Sequence, residues 1–199
     1  MKRSLISVQA LLLLSRLRGP QFCLPYDAVT QADACDVNVN GLKTTAWINS
    51  RKNITAYPAG PGSPTGSDDL GILTGDYTVA SGKPFVPIGL DHEVSDIKLE
   101  GVAPGVGPFK VTGKLFLRGS KAVIDGFASQ VLYDDVVLVV AQSDGTRRPI
   151  GNADFACRVK PMFDSKVVGA TDPRGWEFEF TSYSVYSERL GPLVEVPLT

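Results

Sequence analysis

The sequence is poor in the residues from which most catalytic and metal centres are built. It has one histidine, His92, and three cysteines, Cys23, Cys35 and Cys157. No two cysteines form a Cys-x-x-Cys pair, so neither a zinc ribbon nor a thioredoxin-like redox pair can be drawn. A Ser-His-Asp triad would rest wholly on His92, and no nucleophile-elbow spacing accompanies it. Free buried thiols are the simpler expectation for an odd set of cysteines, with a disulfide as the alternative. An excess of charge is lacking too. Twenty basic residues stand against 21 acidic ones, for a net charge of −1. Bulk charge therefore nominates neither nucleic acid nor a membrane surface as partner. The apolar run at residues 5–14 is too short to span a bilayer, and no membrane anchor is expected. No acid/base or nucleophile constellation appears, so the expectation is a protein that is not an enzyme and needs no cofactor.

What is present is turn chemistry and alternation. With 20 glycines and 14 prolines in 199 residues, short strands and loops are favoured over long helices. Residues 134–181 organise the rest. Val136, Val137, Leu138, Val139 and Val140 form an uncharged β-branched run, as expected of a strand buried on both faces. Ser143-Asp144-Gly145-Thr146 offers a tight reversal, with Arg147-Arg148 read as a solvated hairpin tip. Phe155, Cys157, Val159, Pro161 and Phe163 then alternate with Ala156, Arg158, Lys160 and Met162. After a second turn at Asp172-Pro173-Arg174-Gly175, Trp176, Phe178 and Phe180 alternate with Glu177, Glu179 and Thr181. The pattern predicts three or four strands of one antiparallel sheet with an apolar face.

Upstream, residues 1–22 form an N-terminal helix or arm, and residues 23–199 a single β domain. The start, with Lys2-Arg3 before the apolar run, resembles a secretory signal. Arg16 and Arg18 stand where a small neutral cleavage region belongs. The alternative is a retained helix carrying Leu5, Val8 and Leu11 or Leu12, which ends at Gly19-Pro20 and docks on a neighbour. Residues 57–84 form a long Gly/Pro-rich loop. Having no evident means of folding alone, it is expected to be an inter-subunit arm, with Tyr57, Pro58, Pro61, Pro64, Asp68, Asp69, Leu70 and Ile72 as contacts. The spacing of Asp68, Asp69 and Asp76 fits no calcium loop.

Residues 96–100 and 109–118 alternate apolar and charged positions and predict a hairpin. Residues 120–135 predict the one good internal helix, capped by Ser120. Val123, Phe127 and Val131 would pack it on the sheet. The fold class is therefore mainly β: two antiparallel sheets, as a sandwich or half-barrel, with one packed helix.

The order of these pieces resembles the tail tube (major tail) proteins of bacteriophages, of the type found in phages of Bacteroidetes hosts. The resemblance is carried by Ala34-Cys35-Asp36, Asn40-Gly41-Leu42-Lys43 and Asn53-Ile54-Thr55. It continues through the hairpin to Arg118, the helix, and Leu138-Val139-Val140-Ala141-Gln142-Ser143-Asp144-Gly145. Ile150-Gly151 and the stretch from Asp172 to Thr181 complete it. It spans about residues 23–186. It implies a virion protein whose inner sheets join into a continuous barrel in rings, commonly hexameric. Rings stack into a tube that conducts DNA without sequence-specific binding, alongside other tail proteins, in a virion assembled in the host cytoplasm. A tube-end or neck component, or a secreted β-sandwich binding protein, are the alternatives.

A side chain that alternates with the core must point to the other face of its sheet. Asp96, Glu100, Glu177 and Glu179 are the candidates for a lumen lining that carries more acid than base, since a basic wall would hold phosphate. Lys98, Lys110, Lys114 and Arg118 occupy the same kind of position.

Overall fold

The structure is a computed structural model and describes residues 41–60, 71–103, 108–166, 173–185, 187–191 and 196–198. Twelve strands and one α-helix occur among the described residues. In chain order they are β1 (Leu42–Ser50), β2 (Ile54–Ala56), β3 (Ile72–Leu73), β4 (Thr78–Val79), β5 (Val86–Gly89), β6 (Asp96–Gly101) and β7 (Phe109–Arg118). The helix α1 (Ala122–Val131) follows, then β8 (Val136–Gln142), β9 (Arg147–Ile150), β10 (Arg158–Asp164), β11 (Gly175–Ser184) and β12 (Arg189–Leu190). They form a six-stranded sheet ordered β3-β12-β9-β8-β1-β5, a four-stranded sheet ordered β10-β11-β7-β6, and a β2-β4 ribbon. The fold is mainly β, two packed sheets with one helix among the described residues, as the alternation predicts.

The β-branched run becomes β8, with every residue from Val136 to Ala141 buried. Its two faces serve different cores. Val136, Leu138 and Val140 meet Ile48, Ile150, Leu115, Phe178 and Phe180 between the two large sheets. Val137 and Val139 meet Ile54, Leu73, Tyr77, Phe85 and Leu190 on the far side of the six-stranded sheet. A central strand covered on both sides has no solvated face, so it carries no polar alternation.

Residues 134–181 do not form one sheet. β8 and β9 make the expected hairpin, with Gly145 at φ 92° in its turn. The chain then leaves at Gly151, whose φ of 95° favours glycine. A Cβ there would also lie 2.9 Å from the Cys157 amide nitrogen. Cys157 exchanges backbone hydrogen bonds with Val136, and β10 continues into the other sheet, where it pairs with β11. The alternation was faithful to each strand but silent on which sheet each joins. Cys157 is a free, fully buried thiol, and burial pushes its pKa up. Cys23 and Cys35 lie outside the described residues.

Three further expectations need correction. Residues 37–47, continued by 48–57, read in sequence as one extended strand with a kink at Asn40-Gly41, but β1 and β2 are separated by a 3-10 turn, Arg51–Asn53, where the Arg51 amide donates to the Asp135 carbonyl. The helix is shorter than predicted. Ser120 does not cap its backbone; the Oγ lies 3.0 Å from the Asp125 carboxylate. Val123 is 74% exposed and is not among the residues packed on the core. The buried side is Ala128 and Val131, with Ile124 and Phe127 packed alongside them. Positions 124, 128 and 131 share one helical stripe, and 123 lies about 100° around from 124.

The long loop is the third. Residues 71–84 fold back on their own chain. Tyr77 is 3% exposed and stacks edge-on to Phe85 at 5.1 Å and to Tyr57 at 6.0 Å. Pro58 is buried and Ile72 pairs with Arg189. Pro58 is thus buried, while Tyr57 and Ile72 are half-buried and already packed or paired within the chain; the apolar residues between the glycines order a segment whose composition suggested a loop. Pro61, Pro64, Asp68, Asp69 and Leu70 lie outside the described residues. Tyr77→Ala is expected to cost about 3–5 kcal/mol, read by urea unfolding. Val123→Ala should stay within about 0.5 kcal/mol. Equal effects of the two would contradict this assignment of the cores.

Candidate functional site

The four-stranded sheet has an apolar face against the first core; the opposite face carries charged side chains together with Phe116, which is buried there. Registers fix which side chains share the outer face. Asp96 pairs with Lys114, Lys114 with Glu179, and Glu179 with Lys160. One row thus alternates in sign across all four strands. Parallel rows place Lys98, Thr112, Thr181 and Arg158 together, and Glu100, Lys110 and Tyr183 together. Between strands of opposite direction, directly opposed side chains are near neighbours, so opposite charges there attract and like charges repel.

Asp96, Glu100, Glu177 and Glu179 therefore do lie on one face, as alternation requires. The expected excess of acid does not. Asp164 joins the four carboxylates, but Lys98, Lys110, Lys114, Arg118, Arg158 and Lys160 share the face. The acids are neutralised locally. Lys114 Nζ lies 3.4 Å from Glu177, Lys160 Nζ 3.4 Å from Glu179, and Lys98 Nζ 3.5 Å from Glu100. The Asp96 carboxylate accepts the Lys114 backbone N–H at 3.1 Å. Lys166 beside Asp164 holds that carboxyl below its usual range. Exposed pairs of this kind contribute little to stability, at most about 1 kcal/mol each. Their effect is a face whose acids and bases nearly balance, interrupted by Phe116, Met162, Thr112, Thr181 and Tyr183.

Glycine at 113 completes the inner face. It sits directly opposite Phe180, and a Cβ there would come within 2.6 Å of the Phe180 ring. The aromatic fills the space that the missing side chain leaves.

One buried charge pins the two sheets together. Between β5 and β6 the chain crosses from the six-stranded to the four-stranded sheet. The Asp91 amide donates to the Phe116 carbonyl, and Ser95 Oγ donates to the Asp91 carbonyl at 2.7 Å while accepting the Phe116 N–H at 3.0 Å. The Asp91 side chain is 5% exposed and pairs with Arg118. That hydrogen bond to the guanidinium, outweighing burial, holds the Asp91 carboxyl below the usual carboxylate range. Asp91 was not singled out in sequence because its partner is 27 residues away.

Arg147 and Arg148 are not a solvated hairpin tip. Arg148 Nε donates to Gln142 Oε1 at 2.8 Å, and its Nη1 donates to the Glu188 carbonyl at 3.3 Å. Burial, with Arg189 nearby, lowers the Arg148 pKa. Arg147 reaches the Gly191 carbonyl. Both arginines tie β9 to the strand that returns beside it.

Two clefts flank α1. One, of about 430 Å³, lies between β1, residues 82–86 and the C-terminal half of the helix, with Asn49, Asn53, Gln130 and Asp134 at its rim. The other, of about 390 Å³, lies between β5, Leu117 and the N-terminal half.

A lowered folded-state pKa means that Asp91 stabilises the fold above its unfolded pKa of about 3.9. That contribution is lost as pH falls through the lower folded value. Asp91→Asn should therefore lower the melting temperature at pH 7 and flatten its decline between about pH 5 and pH 2. An unchanged acid limb in a pH series of thermal melts would show that Asp91 is not the coupled group. No protein-family model, curated protein or solved structure matches this chain.

Proposed function

We propose that the chain is a structural virion subunit of the tail-tube type, whose copies join into rings, commonly hexameric, that stack and conduct DNA during ejection. The observation that supports this reading best is the four-stranded sheet. One face is sealed into the core, the other carries nearly balanced acids and bases around a buried Phe116, and β6 and β10 carry no further strand among the described residues. Because the sheet has four antiparallel strands, β6 and β10 run in opposite directions. Edge-to-edge contact between copies then continues the antiparallel order without a break. Ring closure removes both edges, which would otherwise be aggregation sites.

A hexamer of such sheets, at a strand spacing of about 4.8 Å and a tilt of about 40°, closes into a barrel roughly 48 Å across at the backbone. Side chains about 5 Å long on the inner wall leave roughly 38 Å clear. The outer face of the sheet becomes the lumen. Cations that are already paired to neighbouring carboxylates release few counterions on meeting phosphate, so DNA is not held. This replaces the expectation of an acidic wall: pairing, rather than an excess of acid, keeps the wall slippery.

Negative-stain microscopy of the purified protein should show rings or tubes; monodisperse small particles would count against the reading. Lys98→Cys with Lys160→Cys should give oxidised oligomeric ladders in assembled particles and none in dilute monomer. Glu177→Lys with Glu179→Lys should leave tube length unchanged, since both side chains point off the core, yet release Lys114 and Lys160 and slow genome delivery at least tenfold. Normal infectivity from normal tubes would remove this face from the lumen.

A further inference from the structure

We propose that free copies of this chain pair two by two through the edge of β6, in one register, about a twofold axis at Leu99. Strand parity decides which backbone groups are on offer. The Val102 N–H donates to the Pro108 carbonyl, so the even positions of β6 direct their backbone groups to β7. Ile97, Leu99 and Gly101 turn their N–H and C=O groups to the free side, where no strand among the described residues meets them. Two other edges are blunted by proline. The Leu90 N–H donates to the Thr44 carbonyl, which puts Pro87 on the free side of β5. Cys157 gives both its backbone groups to Val136, which puts Pro161 on the free side of β10. Proline has no N–H for an added strand. Of these three edges β6 keeps every donor and acceptor, and a second β6 matches it group for group.

Side chains choose the register. Paired antiparallel about Leu99, β6 sets Lys98 against Glu100 of the second copy and Glu100 against its Lys98, on the charged face. These are non-hydrogen-bonded positions, where opposed side chains come closest. Within one copy Lys98 Nζ already lies 3.5 Å from Glu100, so the dimer closes a square of four alternating charges. On the core face Leu99 meets its own copy, and Ile97 opposes Gly101. Ile97 and Leu99 are only half-buried in one copy, so the contact removes apolar edge from water. Sliding one copy by two residues sets Lys98 against Lys98 and Asp96 against Glu100, and both pairs repel. Sliding it by four restores opposite charge, Asp96 against Lys98, but leaves Leu99 and Glu100 outside the paired strands. The contact is isologous, so it closes at two copies. The inference does not rest on the tail-tube reading. Where rings form, the dimer holds the same edge that ring closure uses, so it must open first, and until then it shields that edge from stray pairing.

The test uses the purified full-length chain. Sedimentation should show a monomer–dimer equilibrium in a series reaching about 0.2 mM, because an edge contact buries little area. The amides of Ile97, Leu99 and Gly101 should exchange more slowly as concentration rises. Lys98→Glu and Glu100→Lys should each weaken the dimer roughly tenfold, since each opposes like charges twice. An equimolar mixture of the two variants should pair as well as the unsubstituted chain, and so should the double reversal. Unchanged melting temperatures at low concentration would show that the exposed substitutions leave the fold intact. A monomer throughout the series, larger species with no dimer, a dimer indifferent to either single variant, or no rescue in the mixture would each overturn the proposal.

Discussion

The structure depends on a single strand that has no solvent side. β8 is central in its sheet, and its odd and even residues anchor two different cores. Each fully buried Val or Leu contributes about 1.5–3 kcal/mol, so these few side chains supply a large part of a net stability of about 5–15 kcal/mol. The consequence reaches the rest of the chain. Something must cover Val137 and Val139, and that requirement draws in Tyr77, Phe85 and Leu190 from distant parts of the sequence. A loop rich in glycine and proline becomes ordered because the sheet beneath it cannot be left wet.

With one sheet covered on both faces, the other is left with a free side. The four-stranded sheet spends its apolar residues on the first core and presents charge outward. The registers bring acids opposite bases, so alternation along each strand and alternation between strands act together. Such a face resists collapse onto other apolar surfaces and carries no net field to trap a polyanion. Its edges, which carry no further strand among the described residues, are a different matter. A surface this polar is stable in water, but an unpaired strand edge invites partners whatever its side chains. An assembly that pairs the edges and leaves the face wet satisfies both constraints at once.

Local patterns were legible: β8 follows from its unbroken apolar run, and the β6–β7 hairpin and the outward side of Glu177 and Glu179 follow from alternation. What was not legible depends on contacts distant in sequence. Whether β10 joins β9 or β11 turns on Gly151 and on the Cys157–Val136 bridge, neither of which has a periodic signature. The helix stripe admitted Val123 because residues 123 and 124 are both apolar, and only the position of the sheet chooses between them. The charge balance of the outer face was out of reach for the same reason. Lys160 and Glu179 are visibly outward on their own strands, but their opposition is a property of register.

The tyrosine-lined second core also bears on how an assembly could form. Had residues 71–84 been free, subunit contacts could have come from that segment, as its composition suggested. Packed as they are, they cost about 3–5 kcal/mol per large side chain to remove, more than a transient interface returns. In the proposed assembly, contacts between copies are then expected from surfaces complete in the monomer, namely strand edges and the charged face. Of these, the edges offer backbone hydrogen bonds in a fixed direction, and direction is what distinguishes a ring from a clump.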